Sequence, residues 1–240
     1  MNKLILTTAA FALTAGMSFA DTVRMGTEGA YEPYNYINDD GELDGFEKHL
    51  GDELCKRAGL TCEWVINDWD TIIPNLVSGN YDTIIAGMSI TDERDEVIDF
   101  TDPYTQPDPS AYMALSADVN LDGAVIAAQT NTIQSGFVAA SGGTLVEFAT
   151  ADETVAAVRS GEADAVLADR NYLLPIADAD AGLVLLAQQE MIGGGVGMGI
   201  RESDGELRAK FNTAIQSMKA DGSLNALIAE WGVGEKFKKL

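Results

Sequence analysis

The stretch AGMSITDERDEVIDFTDPY, residues 86–104, decides how the rest of the chain is read. It follows a short apolar run, residues 81–86, that reads as a buried strand. Just beyond that strand it sets one hydroxyl, Ser89, and one guanidinium, Arg94. Arginine presents a planar fork of N–H donors that matches a carboxylate in two parallel hydrogen bonds. The spacing lets a strand-end loop offer the hydroxyl while the first turn of a short helix returns the arginine to the same point. The pair reads as a carboxylate grip. A surface ion pair of Arg94 with Asp92 or Asp95 is the competing reading of the same residues.

Outward from this segment, strands and helices alternate. Towards the N-terminus, residues 22–26 read as a strand, 41–45 as a turn, 46–58 as an amphipathic helix with Leu50, Leu54 and Cys55 on one face, and 62–67 as a strand. Asp68 or Asp70 is placed to cap a helix running to about residue 79. This is βαβ alternation and predicts mostly parallel sheets flanked by helices. Near 101–109 the texture changes, because Pro103, Pro107 and Pro109 interrupt helices and mark a crossover. A second alternating unit follows, with strands at 111–115, 124–128, 144–148, 165–168 and 183–186. Its helices run from Asn131 to about 140, over 153–160 and from 171 onward. GGGVGMGIR, residues 193–201, fits no register of G-x-G-x-x-G and reads as a flexible crossing back. Helices at 203–220 and 224–231, separated by Gly222, end the pattern. The expected architecture is two α/β lobes joined by two connections. Lobe one is discontinuous, 21–108 plus 193–240, and lobe two is 109–192. Such a hinge places a ligand in the cleft between lobes.

The N-terminus reads as a secretory leader over residues 1–20. Lys3 supplies the charge, 4–16 the apolar run, and Ser18-Phe19-Ala20 the small-x-small cut site, so the mature chain is expected to start near Asp21 in the periplasm. No later segment has the uncharged run of a membrane helix. The two cysteines, Cys55 and Cys62, are an even count in an exported chain and read as one disulfide, with a pair of buried thiols as the alternative. Two cysteines and a single histidine, His49, do not supply the four ligands of a zinc site, and no cofactor is expected. The chain carries 38 acidic and 15 basic side chains, a net charge of −23. That excludes nucleic acid as a natural partner, since a phosphate backbone needs a basic surface. The acidity reads as a solvated face, and also as a field that draws in cations.

Several further positions complete a site for a zwitterion. The backbone at Ala86, Gly87 and Met88 is lean in side chain, and Gly87 permits close approach of a ligand. Asn131-Thr132 opens a helix whose N–H groups, with the Thr132 hydroxyl, suit an anion. Asp169 ends an apolar strand and is placed either to pair with an ammonium or simply to cap the next helix. Glu28 and Tyr31 follow the first strand, and Trp69 opens a helix. Glu28 would pair with a cationic tip on which Tyr31 and Trp69 stack. A cation over an aromatic face contributes roughly 0.5 to 2 kcal/mol. Arginine, lysine or ornithine is the expected ligand, then histidine. Glutamine is the alternative, because an acid also accepts from an amide. Hydrolysis by a serine triad fails on inventory: His49 sits mid-helix beside Lys48, and GMSIT is not G-x-S-x-G.

These motifs carry a resemblance. VRMGTEGAYEP, GFEKHLGDELCKRAGLTCEWV, NDWDTIIPNL, YDTIIAGMSITDER, IDFTDPY and DGSLNALIAEWG together resemble the polar amino-acid-binding proteins of bacterial ABC importers. The similarity is greatest to the lysine/arginine/ornithine and arginine binders. It implies a two-lobed "Venus flytrap" fold, a monomer that captures a free amino acid, and an inner-membrane permease as partner. It implies that Ser89, Arg94 and Thr132 hold the ligand carboxylate and Asp169 its ammonium. Tyr31 and Trp69 would sandwich the side chain, Glu28 face its far end, and Cys55 and Cys62 form a disulfide. The chain departs from the pattern at Ala86 and Gly87, where the lysine/arginine/ornithine branch carries hydroxyls. It departs again at Thr130 and Ile133, which replace a glycine and a polar residue, and in GFEKHL, where the family is more acidic. The same fold is also used by a periplasmic dehydratase of cyclic amino-acid precursors, which makes that enzyme the alternative activity.

Overall fold

The computed structural model describes residues 22–238, so the leader expected over 1–20 lies outside the described residues. Two five-stranded sheets form the frame. In the first, Val23–Thr27 lies between Cys62–Ile66 and Thr83–Ile84 as a parallel trio, and Gly199–Ile200 then Asp99–Phe100 add antiparallel strands at one edge. In the second, Val125–Gln129 lies between Thr144–Phe148 and Ala165–Asp169, again parallel. Ser110–Ala114 and Val184–Glu190 complete that sheet antiparallel. Each sheet is thus a parallel centre finished by strands in antiparallel pairing that adjoin the crossings between the lobes. A small antiparallel sheet of Ala30–Tyr31, Asn35–Ile37 and Leu43–Asp44 folds over the end of the first strand. Its last strand occupies part of the segment expected to be only a turn.

The helices form where their ends are specified. Phe46–Ala58 buries Leu50, Leu54 and Cys55 and stops at Gly59, whose φ of 66° suits glycine. Cys55 and Cys62 are disulfide-bonded, tying this helix to the start of the next strand. Ala151–Ser160 opens on a full capping box between Thr150 and Glu153, two residues earlier than apolar spacing suggested. The helix after the second sheet's first strand is Ile133–Ser141 and is capped by Thr132, not Asn131. Asn131 takes a left-handed backbone (φ 56°) that turns the chain into the cap. The segment after Asn67 is a 3-10 turn, Trp69–Thr71, followed by a short helix, Ile72–Val77, and neither Asp68 nor Thr71 caps with its side chain.

The two crossing segments run side by side. Thr101 N–H donates to Met198 O and Tyr104 N–H to Val196 O, while the Thr101 and Thr105 hydroxyls accept from Met198 and Val196 N–H. Here the glycines serve close packing. A methyl on Gly195 would drive into the Thr105 carbonyl oxygen and come within 2.8 Å of Pro103 Cβ. Overpacking of this kind costs about 1 to 3 kcal/mol. Gly195→Ala is therefore expected to lower the thermal midpoint by several degrees in a calorimetric scan, and an unchanged midpoint would contradict this packing. The main apolar core runs through both lobes, joining Tyr31, Tyr34 and Tyr104 to Ala111, Met113 and Tyr172. Among the described residues no helix is long and apolar enough to cross a membrane.

Candidate functional site

Between the two sheets lies a narrow cavity. Of the residues expected there, Glu28, Tyr31, Trp69, Ala86, Gly87, Ser89, Arg94, Thr132 and Asp169 line it. Two do not. Met88 is fully buried and packs with Trp69, Leu76 and Ile84, because successive side chains on an extended segment point to opposite sides. Asn131 is exposed and borders the mouth of the cleft.

Arg94 sits in a one-turn helix, Asp92–Asp95, capped by Thr91. Its Nη1 donates to Ser89 O at 2.9 Å, and its guanidinium lies 5.3 Å from the centre of the Trp69 ring. Among the described residues Arg94 pairs with no carboxylate, so the ion pair with Asp92 or Asp95 does not form. Burial draws its pKa down to about 10, against the opposing field of Asp169, and it remains a cation at neutral pH. The cavity wall opposite is a helix start. The Thr132 hydroxyl donates to Gln129 O (2.7 Å) and accepts from Ser135 N–H (3.1 Å). Its proton is thus held inside the protein, and what this corner offers an anion is the main-chain N–H of the first turn.

Asp169 ends the strand Ala165–Asp169 and makes no cap for the following helix. Its Oδ2 accepts from the Tyr31 hydroxyl at 2.8 Å and its Oδ1 from Gln134 Nε2 at 2.8 Å. Burial raises its pKa, while the Tyr31 hydrogen bond, the nearby Arg94 charge and Gln134 work the other way. The Tyr31–Asp169 bond joins the two lobes. So does a stack of the Tyr31 and Tyr172 rings, 4.5 Å apart and 10° from parallel. Tyr31 and Trp69 both face the cavity, but one face of Tyr31 is covered by Tyr172 and Trp69 backs Arg94.

Glu28, also in the cavity wall, is only 8% exposed, which excludes a solvated strand-end charge. Gln129 Nε2 donates to its Oε1 at 2.6 Å across the cleft and to Ala149 O at 3.1 Å. Burial raises the Glu28 pKa to about 7, opposed by the Gln129 hydrogen bond and helped by Asp68, Asp152 and Glu47.

Four contributors were not foreseen. Gln129 ends a parallel strand, as Asp169 does, and the rule that sites gather at carboxyl ends of strands points to both. Gln134 lies two residues beyond Thr132. Tyr172 lies three residues after Asp169. Glu47, fully buried, accepts from Asn35 Nδ2 and Gly87 N–H at 2.7 Å each and from the Tyr104 hydroxyl. Asn35 in turn accepts from Gly29 N–H at 2.7 Å. One buried carboxylate therefore ties the main chain beside Glu28 to the main chain beside Ala86. Nothing in the amphipathic pattern of its helix distinguishes it from a surface acid.

A cleft between two α/β lobes, lined by a guanidinium with no carboxylate partner among the described residues, a buried carboxylate and an aspartate bonded across the lobes, defines a binding protein for a small charged molecule. The chain belongs to the bacterial extracellular solute-binding proteins, family 3, whose pattern matches residues 23–234. It is 30% identical to the lysine/arginine/ornithine-binding periplasmic protein of Escherichia coli K12, over 91% of each chain. It is 32% identical to the histidine-binding periplasmic protein of the same strain, over 96% of this chain and 97% of that one. A periplasmic His/Glu/Gln/Arg/opine family-binding protein from Silicibacter pomeroyi, solved with lysine, is 70% identical. It superposes with a TM-score of 0.86 over 88% of this chain and 96% of that one.

Proposed function

We propose that this protein is a periplasmic receptor that closes on a basic L-amino acid and delivers it to an ABC permease. One observation carries the reading. Arg94 and the buried Glu28 line one cavity, and among the described residues neither is paired with a group of opposite charge. Arg94, with Ser89 and the helix start at Thr132, takes the carboxylate. Asp169 takes the α-ammonium, and Glu28 the cationic tip. The relatives that bind lysine, arginine, ornithine or histidine, and the lysine complex at 70% identity, support the same ligand class. We read the lobes as 21–108 plus 193–240 and 109–192, the mature chain as starting near Asp21, and the receptor as a monomer. Hydrogen bonds to charged groups contribute about 1.5 to 3 kcal/mol each. Three or four of them, net of ordering, reach the −8 kcal/mol or so of a micromolar complex.

A thermal-shift screen of lysine, arginine, ornithine, histidine and glutamine tests the reading, and a shift with glutamine alone would replace it with a glutamine-type receptor. In calorimetry, Glu28→Gln is expected to weaken lysine by about tenfold to a hundredfold, the worth of one charged hydrogen bond, and glutamine less. Equal losses would remove Glu28 from the role. We read the protein as a receptor without chemistry. His49 lies on the surface against Asp44 and Trp231, away from the cavity. Glu28, held near 7, is the one acid placed for a dehydratase reaction. Turnover of prephenate or arogenate, followed by absorbance, would establish that activity instead.

A further inference from the structure

Glu47 is fully buried and does not line the cavity, yet both of its oxygens are committed. Its Oε1 accepts from Gly87 N–H at 2.7 Å and from the Tyr104 hydroxyl, and its Oε2 accepts from Asn35 Nδ2 at 2.7 Å. Asn35 is buried too, and its Oδ1 accepts from Gly29 N–H at 2.7 Å. All of these residues lie within 21–108, and none of these contacts spans the cleft.

The polarity of this chain of bonds is fixed at both ends. A main-chain N–H can only donate. Gly29 N–H therefore requires Asn35 Oδ1, which leaves Asn35 Nδ2 facing Glu47, while Gly87 N–H requires an oxygen on the other side. A carboxylate supplies both acceptors. An amide of the same shape supplies one, and sets a second donor against Asn35 Nδ2. A buried donor left without a partner is costly, so the backbone moves to relieve it. The two places free to move are the two segments that carry the site. Gly29 directly follows Glu28. Gly87, in a left-handed turn with φ 62°, lies between Ala86 and Ser89 in the cavity wall.

We propose that Glu47 is a positioning residue: with Asn35 it forms a buried strut that sets the Glu28 turn against the Ala86–Ser89 segment, and so sets which length of basic side chain the receptor prefers. The inference rests on the basic-ligand reading above, in which Ser89 and Arg94 take the carboxylate and Glu28 the cationic tip. Lysine and ornithine differ by one methylene, a difference worth about tenfold or more in a fitted pocket. Their affinity ratio therefore reports the placement of the two segments. A simple loss of folded protein lowers both affinities alike and leaves the ratio unchanged.

Lysine and ornithine are titrated calorimetrically into the mature protein and its variants, well below each thermal midpoint. Glu47→Gln is expected to weaken lysine by about tenfold and to shift the lysine-to-ornithine ratio by about threefold or more. Asn35→Asp combined with Glu47→Gln exchanges acid and amide while keeping shape and net charge. The new acid accepts from Gly29 N–H and from the new amide, whose oxygen still accepts from Gly87 N–H and Tyr104. Both affinity and ratio are expected to return to within about twofold of wild type. Gly59→Ala is the control. It strains the left-handed end of the helix Phe46–Ala58, outside the cavity lining, and is expected to lower the midpoint with the ratio unchanged. Wild-type affinity and ratio in Glu47→Gln overturn the strut while leaving the ligand class intact. Equal weakening of both ligands also overturns it, since that is the mark of a purely structural acid. If Glu47→Gln does not fold, Asn35→Ala carries the same ratio test, because it frees Gly29 N–H and leaves Glu47 on Gly87 and Tyr104. An unchanged ratio there overturns the proposal. Failure of the wild-type protein to bind either amino acid overturns the ligand reading and the strut together.

Discussion

Arg94→Ala is expected to weaken lysine binding from about micromolar to about 0.1–10 mM. The side chain stands in the cavity wall, among the described residues its guanidinium pairs with no carboxylate, and we read it as the holder of the ligand carboxylate. Truncation removes two charge-assisted hydrogen bonds at about 1.5 to 3 kcal/mol each, a loss of roughly 10²- to 10⁴-fold in affinity. Arg94→Lys keeps the charge but loses the fork and its stacking on Trp69, so it is expected to fall between wild type and alanine. Folding stability should not fall in parallel. Burial draws the arginine's pKa down to about 10, and among the described residues its guanidinium makes one hydrogen bond, to the Ser89 carbonyl. Calorimetric affinity and thermal midpoint are measured on the same samples. A variant that still binds lysine within tenfold of wild type would remove Arg94 from the carboxylate role.

Asp169→Ala is the second large effect, and it separates binding from closure. Asp169 gathers Tyr31 from one lobe and Gln134 from the other, and we read its carboxylate as the partner for the ligand ammonium. Removing it takes away one charged pair and one bond between lobes. Affinity is expected to fall by about a hundredfold or more, and small-angle scattering at high lysine to show no compaction. Full compaction in this variant would contradict the bridging role, since a ligand shifts an equilibrium only through contacts that differ between its states. Tyr31→Phe serves as the control. It removes the phenol that now occupies Oδ2 and leaves the carboxylate, so binding should persist while the closed form loses one link.

Much of this site could be read in the linear chain, and the misses have distinct causes. Ser89 and Arg94, Asp169, and Glu28 with Tyr31 each follow a short apolar strand, where polar side chains have nothing to do inside the sheet. That local contrast made them visible. Met88 misled because it shares their segment, yet alternation turns it into the core. Asn131 misled because asparagine is as good a cap as threonine, and only the backbone shows that the chain turns at Asn131 and caps at Thr132. The glycines at 193–199 looked like slack. They are instead demanded by a neighbouring strand whose position no local pattern reveals.

By itself the chain determined what short-range rules can determine: alternating strands and helices, a break in that pattern at the proline cluster, a cysteine pair seven positions apart, and charged groups left at strand ends. Only the tertiary structure decided which of those groups meet. Gln129 reaches Glu28 over a separation of 101 residues, and Tyr31 reaches Asp169 over 138. Whether a carboxylate is solvated or buried, and so whether it waits for a cation or holds a proton, depends on what the opposite lobe brings against it. Burial is a property of the assembled cleft, and no neighbour in sequence carries it.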